Sequence, residues 1–212
     1  MKSLAAIFPL LCLCAGCLTS SVPQPKTWMV SPSPAATRAA TPASGAFAVT
    51  RQGAVSVCAP FDRTTFVVRR ADGSVALDAY NVFAAAPSVL LRAPVKARLE
   101  ADGRFGRVVP QTSGASADVQ VEVLVRDLSL DCSSESHRKA RSAVSIDVIR
   151  LGRGARDVIL SGDGEGTADA EKGDYSESFS AAFDAALSSA LRNLREQPPS
   201  VPIEQKTKGD SK

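Results

Sequence analysis

The chain has 212 residues, enough for one domain with a sizeable core. A hydrophobic fraction of 44% and a charged fraction of 22% exclude wholesale disorder and a multi-span membrane protein. The net charge of +3, with its arginines scattered, lacks the concentrated basic footprint that phosphate backbones demand, so no nucleic-acid partner is expected.

The N-terminus sets the compartment. Lys2 supplies a positive flank and Ala5 to Leu13 an apolar run, interrupted by Pro9 and too short to span a bilayer. It ends in Cys14-Ala15-Gly16-Cys17, which resembles a lipobox, with small residues before the cysteine whose thiol takes the lipid; Cys14 stands where leucine is usual. Residues 1–16 read as a lipoprotein signal peptide and Cys17 as the lipidation site; an ordinary cleaved signal peptide is the other reading, and both export the chain. Leu18 is not the aspartate that resembles an inner-membrane retention signal, which implies the outer membrane of a two-membrane bacterium. Acyl chains contribute about 0.8 kcal/mol per buried methylene, so a multi-chain anchor is effectively permanent.

Residues 17–44 are rich in Ser, Thr, Ala and Pro and read as a flexible tether, with Trp28-Met29-Val30 an apolar patch suited to an edge strand. Phe47, Val49, Val55 and Val57 recur at strand spacing around a break or bulge at Gln52-Gly53. Thr64 to Arg69 and Val75 to Tyr80 flank Ala71-Asp72-Gly73-Ser74, a hairpin turn. Leu91, Val95 and Leu99 then repeat at helical spacing after Pro87, with Pro94 as a kink or true start and Asp102-Gly103 as the stop.

Val119, Val121, Val123 and Val125 alternate with polar residues on a long strand, and Leu128 and Leu130 depart from that register. Val144, Ile146 and Val148 repeat the pattern, and a third strand returns at Val158 to Leu160. Asp174 and Glu177 have capping-box spacing before the stripe Tyr175, Phe179, Phe183, Leu187, Leu191 and Leu194, a helix expected to run to the stop at Gln197-Pro198-Pro199. The expected fold is α+β: a single domain over residues 45–196, an antiparallel-dominated sheet with two helices packed on one face, followed by a disordered tail over 197–212.

Few residues suggest chemistry. His137 is the only histidine and stands in a polar loop beside serines, without a second ligand at metal spacing. Ser161 to Gly166 fails the EF-hand order and the phosphate-loop ending, and Glu165, Thr167 and Asp169 read as the wet face of a strand or its loop. The stripe of Phe179, Phe183 and Leu187 suits a core better than a lipid pocket. Hence no catalytic residue, metal or cofactor is expected. With the signal peptide gone and Cys17 acylated, Cys58 and Cys132 remain, either joined as a disulfide or buried separately.

Val55-Ser56-Val57-Cys58-Ala59-Pro60-Phe61-Asp62, Phe66-Val67-Val68-Arg69, Tyr80 to Leu91 and Leu99 to Val108 follow one another at the spacings of a known group. Over roughly Trp28 to Arg195 the chain resembles the ABC-type transport auxiliary lipoprotein family, which includes paraquat-inducible protein C-like accessory lipoproteins. It departs in carrying Phe83 where the family usually has tryptophan and Trp28 where tyrosine is usual. The resemblance implies a non-enzymatic periplasmic lipoprotein serving an importer or an inter-membrane lipid transporter; taken with Leu18, the expected role is to dock that system to the outer membrane for transport of lipid or another apolar solute. Its implied partners are a mammalian-cell-entry (MCE) substrate-binding protein with its permease and ATPase, and outer-membrane lipid; a homo-oligomer would suit ring-forming partners. A lipid-carrying periplasmic protein is the alternative, and a hydrolase using His137 a third.

Overall fold

The four alternating valines of β6 (Val119–Cys132) turn one face of that strand into the core, and the sheet is built around it. The computed structural model describes residues 23–33, 47–134, 137–152, 156–170 and 174–198. The signal peptide 1–16, Cys17, the tether apart from residues 23–33, and the tail beyond Pro198 lie outside them.

β6 pairs antiparallel with β7 (Lys139–Leu151), and β7 with β8 (Arg156–Asp169), forming the two longest ladders of the sheet. A bulge at Arg126 shifts the β6 register by one residue, so Leu128 and Leu130 join the core face after Val125. Their departure from the valine pattern in the sequence has that cause.

The other edge of β6 carries two strands in succession. β2 (Phe47–Val57) runs parallel to Val119–Val125, and β3 (Thr65–Arg70) runs parallel to Leu130–Cys132. β2 is bulged between Gln52 and Val55, where the sequence indicates a break. Between β2 and β3 the chain makes a detour that includes a cis Ala59-Pro60 bond. β3 turns into β4 (Val75–Phe83) through the expected hairpin, with Gly73 at φ 78° and the Asp72 carboxylate accepting from the Ser74 N–H at 2.8 Å.

Three short strands complete the nine found among the described residues. β1 (Lys26–Trp28) adds parallel to Asn81–Phe83 of β4, an edge strand placed two residues earlier than the apolar patch suggests. β5 (Phe105–Val109) adds parallel to β2, and β9 (Arg195–Glu196) adds antiparallel to β8; the sequence marks neither. The antiparallel-dominated α+β sheet is as expected, while its parallel pairings at β1, β2, β3 and β5 come from non-local contacts.

The first helical region is broken in two. α1 (Pro87–Leu90) is a single turn, and α2 (Arg92–Asp102) restarts so that Pro94 falls in its first turn, where a missing N–H costs little. Leu91, Val95 and Leu99 are all buried, and Gly103 caps the helix at φ 79°.

α3 (Tyr175–Arg192) starts at Asp174, whose carboxylate accepts from the Glu177 N–H at 3.2 Å. It ends at Arg192, before the prolines, because Asn193 closes the helix and its side-chain amide donates to the Asp163 carbonyl at 2.9 Å. Arg195–Glu196 is strand instead of helix, and the Gln197 N–H donates to the Ile159 carbonyl at 2.9 Å.

α3 lies on β8 and β7. Gly162, Gly164 and Gly166 of β8 face Ala190, Ala186 and Ala182 of α3, and a Cβ at any of the three would come within 2.4 Å of a helix carbonyl oxygen. This bed of glycines lets the helix backbone approach the sheet directly. Asp163, Glu165 and Asp169 are exposed, as a wet strand face requires. Arg98 of α2 grips Asp184 of α3 through both carboxylate oxygens, fastening the two helices together.

Candidate functional site

An aromatic cluster links the core to the surface where β1, β4 and the start of α3 meet. Phe66 of β3 packs against Phe83 at 4.5 Å and Phe179 at 4.9 Å between ring centroids, and edge-on against Tyr175 at 5.7 Å. Tyr175, the first residue of α3, meets the Trp28 ring edge-on at 5.3 Å. Such edge-to-face contacts contribute about 0.5–1.5 kcal/mol each beyond area burial.

Polar tips hold this arrangement. The Trp28 indole N–H donates to the Asn81 side-chain oxygen at 3.0 Å, and the Asn81 amide donates to Asp78 at 2.7 Å. Asp78 also accepts from the Tyr80 N–H at 2.9 Å, and the Tyr175 hydroxyl accepts from Arg138 at 2.9 Å. Around these residues opens a groove of about 530 Å³ lined by Pro23, Gln24, Lys26, Trp28, Tyr80, Asn81 and Tyr175. Tyr80 also borders a second hollow of about 420 Å³, with Val68, Ala76, Leu130, Cys132, Arg70 and Arg138 in its wall. β1 covers β4 only at Asn81–Phe83, so the edge from Val75 to Tyr80 has no strand partner among the described residues.

The two cysteines are not brought together. Cys58 and Cys132 are both free thiols, half-buried. The Cys58 N–H donates to the Val125 carbonyl, and Cys132 lies seven residues farther along β6. At about 3.3 Å per strand residue that separation is about 23 Å, against the 7 Å Cα limit for a disulfide. Of the two readings of this pair, the disulfide is therefore corrected to separate thiols. Burial pushes the Cys132 thiol above its ordinary value, with the nearby Arg138 opposing.

His137 shares a hollow of about 560 Å³ with Ser133, Ser134, Lys139 and Arg141. Asp131 in the same hollow accepts hydrogen bonds from the Ser133 hydroxyl and N–H and pairs with Arg141 at 3.2 Å. The Ser133 hydrogen bonds above all, with Arg141 helping, hold its carboxyl below the usual carboxylate range. Among the described residues, no group of three or more His, Cys, Asp or Glu side chains is placed to hold a metal ion.

Phe179, Phe183 and Leu187 are fully buried between sheet and helix, as core. Asp163 accepts from the Ser145 hydroxyl at 2.6 Å and pairs with Arg126 at 3.2 Å on the solvated face. Sequence reasoning isolates Trp28 but misses the groove, because Lys26, Tyr80 and Tyr175 are far apart in the chain and meet only when β1 pairs with β4 and the start of α3 packs against Trp28. The one local signal is Tyr80, an exposed aromatic beside Ala79 on a strand.

The family model described as ABC-type transport auxiliary lipoprotein component matches residues 30–197. No curated protein gives a significant match. Among solved structures, a Xanthomonas campestris protein assigned to the DUF330 family model superposes with a TM-score of 0.53 at 19% identity, covering 77% of this chain and 86% of that one. A structure described as an uncharacterized protein superposes with a TM-score of 0.55 at 12% identity, covering 80% of this chain and 96% of that one. At such identities the two structures speak for the fold.

Proposed function

Because the chain belongs to the family of ABC-type transport auxiliary lipoprotein components, we propose that it is the outer-membrane-anchored docking subunit of such a system, holding an MCE-type lipid-transport assembly against that membrane. Cys17 serves as its acylated anchor, and the MCE substrate-binding protein, permease and ATPase are its partners. A homo-oligomer would match the symmetry of a ring-forming partner.

The observation that carries a docking role over a carrying one is the filling of the space between sheet and α3. Phe179, Phe183, Leu187 and Leu191 are each at most 1% exposed, and α3 rests on glycines, so an acyl chain would have to displace core side chains to enter. The open β4 edge, by contrast, offers main-chain donors and acceptors to a partner strand without any rearrangement. Among the described residues no helix is long and apolar enough to cross a membrane, which agrees with attachment through a lipid.

The test is affinity capture of the detergent-extracted lipoprotein, with mass spectrometry of proteins and lipids. Recovery of an MCE-domain protein supports docking. Stoichiometric lipid without a protein partner would favour the carrier and overturn this reading. Full transport by His137→Ala would separately dispose of a hydrolase.

A further inference from the structure

We infer that the groove formed by Lys26, Trp28, Tyr80 and Tyr175 seats on the anchoring bilayer itself, so that the domain is held against the membrane in one orientation. This rests on the reading of Cys17 as the lipidated residue. Pro23 is part of the groove wall and stands six residues from Cys17. Six residues reach at most about 20 Å when fully extended, and about 13 Å on average as a flexible chain. A domain of this length is about 40 Å across, so its far side lies beyond the leash while the groove lies within it.

The sequence suggests a longer tether, to Ser44. The structure ends the leash much earlier, because Lys26–Trp28 is locked into the sheet and Val30 is buried at 3% exposure. Serines of α3 secure the same segment: Ser176 accepts from the Met29 N–H at 3.1 Å and Ser180 from the Ser31 N–H at 3.0 Å. Any motion allowed by the tether therefore pivots at Pro23, at the mouth of the groove.

The surface there has the composition of a membrane interface. Tyr80, at 58% exposure, is the most exposed of the large apolar residues described, and Met29, at 50%, directly follows Trp28. Trp28, Tyr80 and Tyr175 present apolar rings with polar tips, suited to the boundary between headgroups and acyl chains. Lys26, Arg70 and Arg138 line the two hollows against one carboxylate, Asp78, which is already occupied by Tyr80 and Asn81. That balance complements an anionic lipid surface.

Trp28 is the only tryptophan, so its emission reports on this groove alone. The lipoprotein is reconstituted into vesicles of phosphatidylethanolamine and phosphatidylglycerol, with and without bromine near the top of the acyl chains. The expected result is a blue-shifted Trp28 emission that brominated lipid quenches, with quenching reduced in the anchored variants Tyr80→Ser and Lys26→Glu. Both residues are exposed, and circular dichroism verifies that each variant is folded. Unquenched Trp28 on a chain whose mass shows the acyl group overturns the inference, as does emission that responds only to an added MCE-type protein. A mature chain whose mass lacks the acyl group overturns it by a different route, through the loss of Cys17 as the anchor.

Discussion

Gly164 of β8 lies directly beneath Ala186 of α3, so close that a Cβ at position 164 would stand 2.2 Å from the Ala186 carbonyl oxygen and 2.3 Å from the Ala190 nitrogen. Both atoms are helix backbone, which cannot swing aside as a long side chain would. Gly164→Ala is therefore expected to destabilise the domain by about 3 kcal/mol or more, the upper end of over-packing costs. Gly114→Ala, with nothing within 4 Å of its Cβ, is expected to change stability by less than about 0.5 kcal/mol. Urea denaturation of the pair checks this; equal midpoints would mean that α3 is not seated on the glycines.

The aromatic cluster gives a graded series. Phe66 is fully buried among Phe83, Tyr175 and Phe179, and Phe66→Ala is expected to cost about 3–5 kcal/mol. Tyr175→Phe keeps the ring and removes only the acceptor for Arg138, for an expected loss of about 1 kcal/mol. Denaturation midpoints measured side by side give the ranking.

Arg98 and Asp184 form a two-pronged pair that is mostly buried, with side chains 16% and 20% exposed. Arg98→Lys preserves the charge but loses the fork, and it is expected to cost about 1–2 kcal/mol. Arg98→Ala should cost more, since the Asp184 carboxylate then loses its partner. Thermal melts of both variants distinguish a directional pair from mere charge balance.

Asp131 ties stability to pH. Its carboxyl titrates below the ordinary value in the fold, so its contribution is complete above the unfolded carboxylate range near pH 4 and is lost as pH falls through the lower folded value. Asp131→Asn is expected to be less stable than the parent at neutral pH, with the difference shrinking below about pH 3. A gap that persists unchanged in acid would assign the effect to packing.

Separate thiols make a covalent prediction. Alkylation of the unfolded, unreduced lipoprotein is expected to label both Cys58 and Cys132, and in the native state burial should slow Cys132 until pH rises above its ordinary thiol range. Recovery of a peptide joining residues 58 and 132 would contradict the strand register that separates them.

Much of this protein is written locally. The valines of β6, the stripe from Tyr175 to Leu191, the Asp174 cap, the Asp72-Gly73 turn and the Gly103 stop each declare an element, because period, cap and turn chemistry act over a few residues. Family membership was legible for the same reason, since the spacings of those elements are themselves the pattern. Partner choice was not. Backbone donors and acceptors are alike in every strand, so nothing in Lys26-Thr27-Trp28 names β4 as its neighbour, and nothing in the β2 or β3 segments says that both will share one edge of β6. Three glycines that read as part of a strand or its loop became the seat of a helix, and two cysteines free to pair on paper came to rest apart, Cys58 beside Val125 and Cys132 seven residues farther along β6. Tertiary packing made these decisions, because close approach and strand register depend on residues that meet only when the whole sheet has formed.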